Sequence, residues 1–294
     1  MKRLIFCLLS IAFFTCVQPQ QKALYTNEGT LKAFYTNEDV KIFNQYLSHI
    51  APYKTKSTEM LLQQTALFFL GKPYVAHTLE VTDKEMLVVN LREFDCMTFV
   101  ETVIALARTT RTDNPTFETF LDNLRNIRYR TGVIDGYSSR LHYTSDWVFE
   151  NEKRGFLRNI SSEISGSRIE RKEINFMSSN RHLYRHLAND NAMLAKIIAI
   201  ENNINQRGGF SYIPIEKIAS IAHYIPNMAM VAFTTSIRGL DVQHTGFTFW
   251  ENDRLTFIHA STSTNSVIIE PRTLAEYCEA IRAVTGVMIV EVVL

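Results

Sequence analysis

Three residues sit where their side chains can do chemistry together. Cys96 lies in Phe94-Asp95-Cys96-Met97-Thr98-Phe99-Val100-Glu101, directly after an aspartate of the N-cap type. From Cys96 to Arg108 there is no Gly or Pro, and apolar residues recur at helical spacing through Phe99, Val103, Leu106 and Ala107. A cysteine in the first turn of a helix meets unpaired backbone N–H groups and the positive end of the dipole. Both favour a thiolate and predict a lowered pKa. The same N–H groups can donate to an oxyanion when a carbonyl is attacked. His244, in Gln243-His244-Thr245-Gly246-Phe247-Thr248-Phe249, opens a strand-like run. His259, in Phe257-Ile258-His259-Ala260-Ser261, ends the next one. Glu251-Asn252-Asp253-Arg254 between them reads as a hairpin turn, so adjacent antiparallel strands carry both imidazoles to one end of a sheet. Cys96 as nucleophile, His244 as base and His259 as the group that orients the base would make a cysteine hydrolase. Either histidine alone reads as readily as structural.

Those three must be positioned by a helix and a sheet, and the chain supplies both. Residues 39–70 have helical apolar spacing, giving two helices separated near Pro52, and Gly71-Lys72-Pro73-Tyr74 closes them as a turn. Met86 to Leu91 is strand-like, and a further helix runs from Pro115 to about Arg128. Residues 129–151 read as irregular, and 156–180 as a long surface excursion. A helix then runs from about Leu183 to Asn202. Short β-type runs follow at 228–235, 244–250, 255–259 and 267–269, with a helix at 273–282 and a strand at 286–293. Helices first and an antiparallel sheet afterwards predict an α+β fold. The expected division is a leader at 1–20, a helical extension at 21–54, and one catalytic domain at 55–294 with an insertion at about 110–225. Tyr-Thr-Asn-Glu occurs twice, at Tyr25 and Tyr35, which is too little for a repeat architecture.

The chain is 46% hydrophobic and 21% charged over 294 residues, enough to bury a sizeable core. Lys2 and Arg3 precede an apolar run, Leu4 to Phe14, that is short for a bilayer and has the layout of a secretory signal peptide. Phe13-Phe14-Thr15-Cys16 loosely resembles a lipoprotein box, although Thr15 fits it poorly. Export to the periplasm, with Cys16 either acylated at the outer membrane or not, is the expectation. Residues 21–294 carry 29 Lys and Arg against 30 Asp and Glu, which predicts no nucleic-acid partner and no membrane contact beyond an anchor at Cys16. Exported proteins use cysteines in pairs, so a Cys96–Cys278 disulfide is the alternative to a free thiol. There is no HExxH, CxxC or phosphate-loop spacing, so no metal or cofactor is expected. His182 and His186 stand at i, i+4 but read as a solvated face. A monomer is expected.

The sequence resembles the NlpC-type, papain-like superfamily of bacterial cell-wall cysteine peptidases in Gly71-Lys72-Pro73-Tyr74, Asp95-Cys96, His244-Thr245-Gly246-Phe247 and Ile258-His259-Ala260, in that order. Within it, the blocks 71–80, 91–101, 139–147 and 239–246 are most similar to the N-acetylmuramoyl-L-alanine amidase-like branch. The similarity spans nearly everything from about residue 55 onward. It implies a papain-like core with the nucleophile helix on the sheet, Cys96, His244 and His259 in the three roles above, and Tyr74 lining the cleft near the thiol. It also implies peptidoglycan or muropeptide substrates cut between N-acetylmuramic acid and L-alanine. An endopeptidase cutting between D-γ-glutamate and the diamino acid, an acyltransferase, and a wall-binding lipoprotein without turnover are the rivals.

One departure is the interval of 148 positions between Cys96 and His244, longer than in simple members of the superfamily. It contains Ser139-Arg140-Leu141-His142-Tyr143-Thr144-Ser145-Asp146-Trp147. There Arg140 can pair with a substrate carboxylate, Tyr143 and Trp147 can stack on a sugar, and Asp146 can accept from a hydroxyl or amide. The alternative is a loop plugged into the core by Trp147, with Asp146 capping a helix.

Overall fold

Helix formation starts at two strong caps. Thr36 and Asp39 form a capping box, as do Asp95 and Thr98. The computed structural model describes residues 21–25 and 32–294; the expected leader, with Cys16, lies outside the described residues. β1 (Gln21–Tyr25) pairs antiparallel with β2 (Lys32–Thr36), and α1 (Asn37–Ile50) and α2 (Thr58–Phe68) follow. β3 (Leu87–Val88) joins β2 in parallel and leads to α3 (Cys96–Arg111) and α4 (Phe117–Arg128). The stretch read as a helical extension therefore begins with a strand pair. It is also built into the main core. The Tyr46 hydroxyl hydrogen-bonds Thr65 at 3.0 Å and Thr110 at 2.9 Å, and Asp39 Oδ1 accepts from the Leu91 N–H at 2.8 Å.

The long interval is more ordered than its composition predicts. It contains α5 (Thr144–Lys153), β4 (Leu157–Asn159), β5 (Arg168–Glu170), α6 (Phe176–Ser179), α7 (Arg185–Ala188) and α8 (Asn191–Gln206). β6 (Phe210–Pro214) and α9 (Ile215–Ile221) then return the chain to the main sheet. β7 (Met230–Thr235), β8 (Val242–Glu251), β9 (Arg254–Ser261), β10 (Ser266–Ile269), α10 (Leu274–Ala280) and β11 (Val284–Val292) complete it. The strand order is β10-β9-β8-β7-β11-β6-β5, antiparallel throughout, with β4 also on β11. This is the mixed α+β architecture expected.

α3 lies across β8 and β9, and twelve of its sixteen residues are buried. A helix buried on nearly all sides must neutralise any charge it carries. Glu101 does so against Arg128 of α4 at 2.7 Å, both side chains almost fully enclosed. Cys96 and Cys278 are free thiols, so no disulfide joins them. Cys278 is fully buried on α10. Among the described residues no helix is long and apolar enough to cross a membrane.

Candidate active site

Asp95 caps α3 by accepting from the Thr98 N–H at 2.7 Å, which leaves Cys96 as the first helical residue, half-buried. The Thr245 hydroxyl, next to His244, donates to the Cys96 carbonyl at 3.0 Å and so ties the start of α3 to the start of β8. On the sheet, Phe247 pairs with Ile258. Continuing that register puts His244 and His259 diagonally on one face, where their rings meet edge to face. His244 Nε2 and His259 Nδ1 are 2.6 Å apart, so the two rings share one proton, one donating and the other accepting. The Tyr277 ring stacks on His244 with centroids 6.2 Å apart and meets His259 edge-on at 5.9 Å.

Gly246 makes this approach possible. A Cβ there would lie 2.6 Å from the Ile258 carbonyl oxygen and 3.0 Å from His259 Cβ. Gly246→Ala is accordingly expected to push β9 away from β8 beside His259. It should destabilise the protein by about 1–3 kcal/mol and lower turnover, read by thermal denaturation and by steady-state rates on the folded variant.

The electrostatics differ from the expected lowered thiol. Burial pushes the Cys96 thiol up to about 12, and the Asp95 carboxylate adds to that; hydrogen bonding from Thr245 and from the backbone works against it. Burial, then His259, pushes His244 down to about 3, and burial, then Arg272, takes His259 to about 3. Both shifts favour the uncharged forms of the thiol and the imidazole. For Cys96 desolvation and the capping carboxylate one residue away outweigh the helix end, while Phe233, Phe257 and Tyr277 pack around the two imidazoles.

The remaining sequence candidates separate into two groups. Tyr74 is half-buried against the core beside Phe94. Its phenol is pushed up to about 12 by burial, then by Cys96 and Asp95. Arg140 lines a cleft of about 610 Å³ that reaches Asp95 and Met97 on either side of Cys96. It is held there by ion pairs to Glu80 and Glu85 and lies over the Tyr137 ring. His186, read as solvated, stacks on Tyr137 and faces Glu80 at 3.3 Å. Glu80 and Tyr137 thus line the cleft beside Arg140, with His186 packed behind them.

Tyr143, Asp146 and Trp147 are elsewhere. The Tyr143 hydroxyl donates to Glu201 at 2.7 Å and accepts from the Met177 N–H at 2.8 Å. Trp147 is wholly buried in the main core. Asp146, 1% exposed, pairs with Arg130 and with Arg207 at 2.7 Å. The expectation that these three meet substrate is corrected: all three are buried in core contacts, Trp147 as the alternative reading had it, whereas Asp146 pairs with two arginines and caps no helix. A larger cavity of about 660 Å³, walled in part by Ser145, Lys172 and Arg207, holds none of the cysteine and histidine residues above. The residue that sequence reasoning missed altogether is Glu270, whose Oε2 faces His259 Nε2 at 3.4 Å. A single glutamate after a short strand carries no local signal.

The family model described as AmiA-like, N-acetylmuramoyl-L-alanine amidase-like, matches residues 64–286, three quarters of the chain. Two solved structures of an N-acetylmuramoyl-L-alanine amidase from Bacteroides uniformis are each 35% identical to it. One has a TM-score of 0.74 and covers 80% of this chain and 98% of its own. The other has 0.75, with 81% and 99%. A Bacteroides fragilis protein provisionally named a xylanase is 32% identical, at a TM-score of 0.71, over 77% of this chain and 98% of its own. A Legionella pneumophila protein of the DUF1460 family, 22% identical, shares the fold at a TM-score of 0.67 over 87% of this chain and 97% of its own. No curated protein matches. Most of the chain, its sheet and its cleft thus fall under one model, and the protein belongs to the N-acetylmuramoyl-L-alanine amidase-like (AmiA-like) family.

Proposed function

We propose that this protein is an exported cysteine amidase with an NlpC-type, papain-like core, hydrolysing the bond between the lactyl group of N-acetylmuramic acid and L-alanine in peptidoglycan or its fragments. The observation that carries the proposal is the 2.6 Å contact between His244 and His259, tied through Thr245 to the cysteine that opens α3. Family membership supports the bond class, and the charged, apolar-flanked leader at residues 2–14 supports export.

His244 takes the Cys96 proton as the sulfur attacks the lactyl carbonyl. The N–H groups at the start of α3 and the phenol of Tyr74, protonated at neutral pH, donate to the developing oxyanion. The carbon–nitrogen bond then breaks and the alanine nitrogen takes the proton from His244. Water, activated by the same imidazole, resolves the thioester to the muramic acid carboxylate and the free thiol. Arg140, fixed by Glu80 and Glu85, stands on the cleft wall where an acidic peptide stem would pass.

Mass spectrometry of a defined muropeptide incubated with the protein tests this. The expected products are a free muramic acid sugar and an intact peptide beginning at L-alanine. A peptide beginning at the diamino acid would make the protein an endopeptidase. An amine-capped product would make it an acyltransferase, and no cleavage of plain or anhydro muropeptides would favour a wall-binding role.

A further inference from the structure

The His244–His259 contact leaves a question of proton placement. For His244 to act as base through Nδ1, its Nε2 must carry hydrogen and donate to His259 Nδ1, which must then be bare. His259 Nε2 must in turn carry the hydrogen. That nitrogen is sealed from solvent and, among the described residues, has no partner in full hydrogen-bond geometry.

Glu270, immediately after β10, faces it. The carboxylate is 2% exposed and its two oxygens are differently occupied. Oε1 accepts from Arg272 Nε at 2.7 Å and from the Arg272 backbone N–H at 3.2 Å. Oε2 stands 3.4 Å from His259 Nε2. Bonds to its backbone hold Glu270 in place: its N–H donates to the Phe257 carbonyl at 2.9 Å, and the Thr256 hydroxyl donates to the Glu270 carbonyl at 2.5 Å. Arg272 is fixed in turn over the Tyr277 ring at 4.8 Å, and Tyr277 flanks both imidazoles. A carboxylate accepts only, so whatever faces Oε2 must donate to it.

We infer that Glu270 is a positioning residue. Its free oxygen selects the Nε2–H form of His259, and through the 2.6 Å contact selects the Nε2–H form of His244, leaving His244 Nδ1 bare for the Cys96 proton. Arg272 occupies the other oxygen and fixes which face of the carboxylate is presented. The inference rests on the cysteine–histidine reading of the site and adds a fourth member, and behind it a fifth, to the relay.

Two measurements on the full chain test it without any substrate: iodoacetamide alkylation of Cys96 at neutral pH, and ¹⁵N chemical shifts of the histidine rings. Wild type is expected to react faster than His244→Ala and to show His244 with a bare Nδ1. Glu270→Leu should mix the His244 tautomers and slow alkylation by about 10- to 100-fold, by analogy with removal of an orienting group. Glu270→Gln keeps an acceptor, so it should restore the tautomer and recover much of the rate. If folded Glu270→Leu keeps the wild-type ring shifts and reacts within about twofold of wild type, Glu270 is an ordinary structural ion pair and the inference falls. If wild type reacts no faster than His244→Ala, the cysteine–histidine reading itself fails, a separable result that takes this inference with it.

Discussion

Cys96→Ala is expected to lower muropeptide hydrolysis by about 10⁴-fold or more while leaving the fold intact. Cys96 contributes little to packing, because it is half-buried at the start of α3 and the capping box of Asp95 and Thr98 is untouched by the change. The contact that ties α3 to β8 also survives, since Thr245 bonds the Cys96 backbone carbonyl. Thermal unfolding should therefore move little while turnover disappears. Cys278→Ala is the matched control: that thiol is fully buried on α10, and its loss should cost stability with turnover per folded molecule unchanged. Retention of hydrolysis in Cys96→Ala would transfer the chemistry to another group and end the thiol mechanism.

The largest expected loss of stability comes from Arg128→Leu. Glu101 and Arg128 meet at 2.7 Å, and the arginine also donates to the Val88 carbonyl at 2.6 Å, linking α3 and α4 to β3. Removing the guanidinium strands a carboxylate inside the core, which costs about 3–5 kcal/mol in comparable buried pairs. Urea denaturation should show that loss, and Glu101→Leu/Arg128→Leu should recover part of it. The pH dependence has a defined sign. Burial raises the Glu101 pKa and Arg128 opposes that rise. Without Arg128 the folded-state pKa moves further up, so the folded form binds a proton that the unfolded form has already lost. The deficit should shrink as pH falls through that raised value and grow again as pH rises. A deficit insensitive to pH would mean that Arg128 acts through packing alone.

What could be read in the sequence follows from how locally each feature is encoded. The place of Cys96 at the start of α3 is legible because cap, cysteine and helical period lie within a dozen residues. His244 and His259 were legible because strand alternation and a four-residue turn fix their relation without tertiary knowledge. Tyr143, Asp146 and Trp147 were misassigned because an aromatic and acidic cluster looks the same in a cleft as in a core. Only the distant partners Arg207, Glu201 and Met177 separate the two cases. α5 was missed for a related reason: no side chain caps it at Tyr143, so its start carries no punctuation. β6 ends in proline and the following α9 has no side-chain cap, so neither element announces itself. The thiol pKa went astray because the helix end is a local property, whereas desolvation depends on what closes over it.

The placement of β11 fixes an order of assembly. It pairs with β7 along one edge and with β6 and β4 along the other, and all three precede it in the chain. Until residues 284–292 have been made, β7 and β6 present open edges that are prone to intermolecular pairing. β7 in turn supports β8 at the Phe233–His244 position. Cys96 can thus be synthesised and helical long before His244 has a seat. A nascent chain that has passed both histidines but not residue 284 carries Cys96, His244 and His259 without the strand that completes their sheet. The pairings that complete the sheet are thus long-range ones made by the last strand of the chain.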